Sequence, residues 1–114
     1  MADNVIYVNF NEGVKRVMDN AKFYVRMLAK FKDNNCIHEL EEAFTSGDLE
    51  KSQTAAHTLK GLAGNLSLTE LYNQCLELET QIKAKSVNPD QITVVKDAHA
   101  KTLAEVDKVI AENA

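Results

Sequence analysis

Apolar residues recur every three or four positions along most of the chain, the spacing that gathers them on one face of an α-helix. Asn9 and Glu12 are spaced as a helix cap, and Val14, Val17 and Met18 after them predict a short first helix. Phe23, Met27, Leu28 and Phe31 predict a second helix between Asn20 and Asp33, and Ile37, Leu40 and Phe44 a third, shorter one. Ser46-Gly47-Asp48 reads as a junction, with Gly47 suited to a left-handed stop and Asp48 to the cap of the next helix. A central helix is predicted from Leu49 to Leu66. Ser67 and Glu70 form an S-x-x-E capping box, opening a helix with Leu68, Leu71, Cys75, Leu78 and Ile82 on one stripe. Asn88 as cap and Pro89 at the first helical position start a last helix carrying Ile92, Val95, His99, Leu103, Val106 and Ile110. No segment alternates apolar and polar residues between hairpin turns. The pattern predicts an all-α bundle in which short connections make neighbouring helices antiparallel.

Composition narrows the picture. The 114 residues, 45% apolar and 26% charged, are expected to form a single domain over 1–114 with one core that needs no disulfide or metal. The net charge of −4 argues against nucleic acid as a partner. The N-terminal MADNVIYVNF carries Asp3 rather than a basic segment, and its apolar stretch is too short for a signal peptide or membrane span. Two unclustered cysteines, Cys36 and Cys75, fit reduced thiols, so a cytoplasmic location is expected.

Two of the four glycines, Gly61 and Gly64, fall inside the central helix. There each costs about 0.5–1 kcal/mol relative to alanine. Advancing about 100° per residue from His57 puts Lys60, Gly61, Gly64 and Gln53 at roughly 300°, 40°, 340° and 320°. Ala55, Leu59, Leu62, Ala63 and Leu66 fall between about 140° and 240°, on the opposite side. The glycines therefore sit beside His57, away from the packing face, where missing side chains leave a strip open to a partner. On this reading a large residue at Gly64 spares stability. A neutral imidazole is a nucleophile at physiological pH, and Lys60 one turn away places an ammonium near charge that develops on its substrate. A glutamate from a neighbouring helix would fix which ring nitrogen attacks.

The stretch AHTLKGLAGNL, with Cys75, Leu78 and Glu79 in a downstream C-x-x-L-E, resembles the histidine-containing phosphotransfer (HPt) domain family. The segment FNEGVKRVMDNAKFYVRMLAKF is similar to that family's first helices. The resemblance implies an up-down-up-down four-helix bundle with additional short N-terminal helices. It implies His57 as phosphoacceptor, Lys60 as phosphate-stabilising cation, Glu79 as hydrogen-bond partner of the imidazole, and Gln53, Gly61 and Gly64 on the docking face. The implied partners are response-regulator receiver domains, with a hybrid sensor kinase upstream, and the divalent metal is expected to come from the receiver rather than from this chain. Family members commonly carry glycine where Ser67 stands. A monomer is expected, as is a carrier without kinase activity, because no phosphate-binding loop motif occurs.

Two other classes compete with this one. A scaffold bundle would make His57 an ordinary surface histidine, and the joint presence of Lys60, both glycines and Glu79 argues against that. A di-metal bundle would need Glu-x-x-His pairs, whereas Asn35, Thr54 and Lys96 precede His38, His57 and His99 by three positions. His99 and Cys75 read as packing residues, Glu39, Glu41 and Glu42 as a solvated face, and Lys83 and Lys85 as complements to a helix C-terminus. Phe10, Val14, Met18 and Phe23 exceed the needs of a core, which leaves some of them to face a partner.

Overall fold

A computed structural model describes residues 5–113, so Asp3 and its neighbours lie outside the described residues. Six helices follow in order: α1 Phe10–Arg16, α2 Ala21–Lys32, α3 Cys36–Thr45, α4 Leu49–Asn65, α5 Thr69–Lys83 and α6 Gln91–Glu112. Two starts are set by the caps the sequence named, Asn9 and Asp48, and a third by Asn20. Asn9 Oδ1 accepts from the Glu12 N–H at 3.2 Å, Asn20 Oδ1 from the Phe23 N–H at 3.0 Å, and Asp48 Oδ1 from the Lys51 N–H at 3.0 Å. Such a cap is worth about 0.5–2 kcal/mol because it satisfies an N–H that has no partner within the helix. Gly47, at φ +80°, makes the left-handed stop between α3 and α4.

Two starts differ from expectation. The cap of α6 is Asp90, not Asn88. Asn88 Oδ1 takes the Asp90 N–H at 3.0 Å and its carbonyl takes the Gln91 N–H at 2.9 Å, so Asn88 and Pro89 build a turn ahead of the helix. The cap of α5 is Leu68, with no side-chain acceptor. Ser67 has φ +57°, whereas a capping serine needs extended backbone, and Glu70 instead accepts from Gln74 Nε2 at 3.0 Å.

Helices α3, α4, α5 and α6 close an up-down-up-down antiparallel bundle, each packed on the next and α6 returning to α3. Short connections enforce the alternation. α2 lies along α6, tied there by Lys32 and Asp107, and α1 packs on α2. The core is built from Leu40 of α3, Ala56, Leu59 and Ala63 of α4, Leu71, Cys75 and Leu78 of α5, and Val95 and Val106 of α6. On α2 the buried line is Tyr24, Leu28 and Phe31, and Phe23 turns outward. Tyr24 goes inside because its hydroxyl finds the Leu66 carbonyl at 2.6 Å. On α6 the buried line is Val95, Ala98, Thr102, Val106 and Val109, while Ile92, His99, Leu103 and Ile110 flank it. Thr102 is admitted because its hydroxyl donates to the Ala98 carbonyl at 2.7 Å. Phe10 and Val14 pack against the core, and Met18 is 91% exposed.

The α4–α5 turn is held from outside the bundle. The Asn9 N–H donates to the Ser67 carbonyl at 2.9 Å, and the Glu70 N–H donates to the Ile6 carbonyl at 3.0 Å. The N-terminal segment thus supplies backbone partners that a capping side chain would otherwise give. Phe10 meets Tyr24 edge-on, ring centroids 5.7 Å apart, and Gly13 lies so close that a Cβ there would come within 2.2 Å of the Tyr24 ring. Ser67 itself is buried with no partner for its hydroxyl. A left-handed backbone costs a non-glycine residue roughly 1–2 kcal/mol, part of which glycine gives back as chain entropy. Ser67→Gly should therefore raise unfolding free energy in urea by about 1 kcal/mol; a lower midpoint would contradict the strain. Gly13→Ala should lower it by about 1–3 kcal/mol by forcing α1 off Tyr24; an unchanged midpoint would show that α1 contributes nothing there.

Candidate functional site

α4 buries Ala56, Leu59 and Ala63 and thereby turns His57, Lys60, Gly61 and Gly64 toward the opposite side. The His57 side chain is 68% exposed. Beside it, α5 buries Leu71, Cys75, Leu78 and Ile82, and Glu79 rides at the edge of that stripe with a side chain only 4% exposed. A buried carboxylate is tolerated only when charged donors surround it. Here Oε2 lies 2.9 Å from His57 Nδ1, Oε1 accepts from Lys60 Nζ at 2.6 Å, and Lys83 Nζ lies 3.6 Å from Oε2.

Burial pushes the Glu79 carboxyl up, but the Lys60 and His57 hydrogen bonds and the charges of Lys60 and Lys83 outweigh it and hold the group below its usual range. The same hydrogen bond raises Lys60 above its ordinary value. An ionised carboxylate only accepts, so Nδ1 carries the ring proton and the Nε2 lone pair is the free one. The result is a fixed tautomer on an exposed ring, which is what a nucleophilic imidazole requires.

The two glycines have different surroundings. A Cβ at Gly61 would meet nothing within 4 Å, so it leaves the bare strip the sequence predicts. A Cβ at Gly64 would lie 3.3 Å from the Tyr72 ring of α5. Gly64 therefore serves packing between α4 and α5, contrary to the expectation that neither glycine does. Gln53 lines a hollow beside the imidazole together with Glu50, Thr54, Thr58, Glu79 and Lys83. On the other side of Lys60 a second groove runs past Gly61, Gly64 and Tyr72 to Ile6, Glu12 and Arg16 of the N-terminal segment. Lys83 and Tyr72 are the site residues the sequence reading missed. A lysine four positions after a glutamate on one helix was the available signal for Lys83.

The remaining reactive groups stand apart. Burial, with Glu79 adding to it, pushes the Cys75 thiol up to about 12, so it acts as an apolar side chain beneath the site. His99 packs against Phe31 at a centroid separation of 5.8 Å, with its pKa lowered by burial and by His38. Among the described residues no three His, Cys, Asp or Glu side chains gather as metal ligands would, and no helix is long and apolar enough to cross a membrane.

The family model described as Hpt domain matches residues 26–108, from within α2 to near the end of α6. No curated protein and no solved structure gives a significant match. The matched span contains His57, Lys60, Gly61, Gly64, Glu79 and all four helices of the bundle, and the chain belongs to the Hpt domain family, a phosphotransfer module of two-component signalling whose members carry phosphoryl groups and interact with receiver domains.

Proposed function

We propose that His57 takes a phosphoryl group from the aspartyl phosphate of one receiver domain and delivers it to an aspartate of another, the chain working as one monomeric domain in the cytoplasm. One observation supports this most: the exposed His57 ring has its Nδ1 committed to a buried, ionised Glu79. In the accepting step the Nε2 lone pair forms the N–P bond while the P–O bond to the aspartate breaks and that carboxylate leaves. The Nδ1 proton stays in place, and the positive ring that results faces Glu79. In the delivering step the incoming aspartate oxygen takes the phosphorus, the N–P bond breaks, and the neutral ring returns. Phosphoryl transfer asks chiefly for alignment and charge neutralisation. The divalent metal and the ATP-driven step belong, on this reading, to the receiver and to a sensor kinase upstream.

Glu79 has a second consequence, for stability. A carboxyl that ionises more readily folded than unfolded binds fewer protons in the folded state. The stability it contributes is full above the unfolded carboxylate range and drains away as pH falls through the folded value. Glu79→Gln leaves Lys60 facing a neutral amide. It should lower unfolding free energy at pH 7 by about 1–3 kcal/mol and flatten the loss of stability below pH 5, read by urea melts across pH. An acid limb as steep as in the unaltered protein would remove Glu79 from this role.

His57→Gln should abolish labelling by a phosphorylated receiver and leave the helical circular dichroism unchanged; label retained by that variant refutes the assignment. Gly61→Leu should be about 0.5–1 kcal/mol more stable, because its side chain enters open space on a helix. It should still be labelled by phosphoramidate, a small phosphodonor, yet accept from a receiver at least about tenfold more slowly. Normal acceptance from the receiver would show that bare backbone at Gly61 is not needed for docking.

A further inference from the structure

Two lysines approach Glu79, and they are bound in very different ways. Lys60 is 18% exposed and holds Oε1 at 2.6 Å. A charge-assisted bond of that length to a buried carboxylate is costly to give up, since the oxygen left behind has no water to turn to. Lys83 is 60% exposed and stands 3.6 Å from Oε2, beyond hydrogen-bond distance. That oxygen is already engaged by His57 Nδ1. An exposed, loose pair of this kind contributes about 0–1 kcal/mol, so its ammonium leaves at little cost.

Position favours the same lysine. Lys83 sits one turn after Glu79 on α5 and lines the hollow beside the imidazole, in the company of Glu50, Gln53, Thr54, Thr58 and Glu79. Because one carboxylate oxygen neighbours both Lys83 and His57, ammonium and ring are close companions. A phosphoryl group brings about two negative charges at neutral pH. It would add them to a hollow that already holds Glu50 and Glu79, where Lys83 is the one lysine or arginine in the lining among the described residues.

We propose that Lys83 is the mobile cation of the phosphorylated state: it leaves Glu79 and closes on the phosphoryl oxygens at His57 Nε2, while Lys60 stays with Glu79 as a positioning residue. The proposal rests on His57 being the phosphoacceptor. It divides between two lysines the duties that the resemblance gives to Lys60 alone. The long four-carbon stem of lysine suits a swing of this sort, and arginine carries the same charge on a stem of similar reach.

The test is a ³¹P NMR pH titration of the full chain phosphorylated with phosphoramidate. A cation beside the phosphoryl group lowers the pKa of its second ionisation. Lys83→Gln should raise that pKa by about half to one unit, a three- to tenfold change in proton affinity, while Lys83→Arg titrates close to the unaltered protein. A role confined to the end of α5 would leave the phosphorus titration unmoved. Superimposable curves for Lys83→Gln and the unaltered protein overturn the proposal and leave the carrier reading intact. Equal upward shifts in the Gln and Arg variants overturn it too, because charge would not be the cause. If the unaltered protein takes no phosphoryl group on His57, the carrier reading fails first and this proposal falls with it.

Discussion

A single buried carboxylate organises the exposed face of this bundle. Glu79 lies among side chains that exclude water, so its charge must be answered by the protein, and it is answered from two helices: His57 and Lys60 on α4 and Lys83 on its own α5. The bond to Lys60 ties α4 and α5 together, and the bond to His57 sets the orientation and tautomer of an exposed ring. The free lone pair at Nε2 is thus a by-product of satisfying a buried charge. Neither helix could supply the arrangement alone.

The helical turn of the sequence carried much of this in advance. Helical spacing fixed which side of α4 is apolar, and His57, Lys60 and Gly61 emerged on the other side because those positions follow from 3.6 residues per turn. The local caps at Asn9 and Asp48 were equally legible, each bonding an N–H only three residues away. What failed to show were features made between segments distant in sequence. Ser67 looked like a cap because Glu70 follows it, yet the Asn9 and Ile6 backbones reach that turn from another part of the chain and hold it differently. Tyr24 displaced Phe23 from the buried line because a carbonyl 42 residues away accepts its hydroxyl, and Gly64 proved to be a packing residue only once Tyr72 lay across it. The pairing of Glu79 with His57 was legible only through the resemblance, since no periodicity pairs residues 57 and 79.

The N-terminal segment has a defined place in this account. The family model begins within α2, whereas residues 6–13 lie before it and still hold the α4–α5 turn through Asn9, Ile6 and the contact of Gly13 with Tyr24. The same segment walls the groove that runs from Lys60 past Gly61. Support of the turn and the shape of the surface beside His57 are therefore coupled through one stretch of backbone.

The central claim is that Glu79 holds the proton on Nδ1 and so leaves Nε2 as the nucleophile. Nitrogen-15 NMR of the His57 ring, before and after phosphorylation, tests it most directly. The account expects the Nδ1–H tautomer in the free protein and phosphorus–nitrogen coupling to Nε2 afterwards. A proton on Nε2 in the neutral ring, or phosphorus bonded to Nδ1, would contradict it.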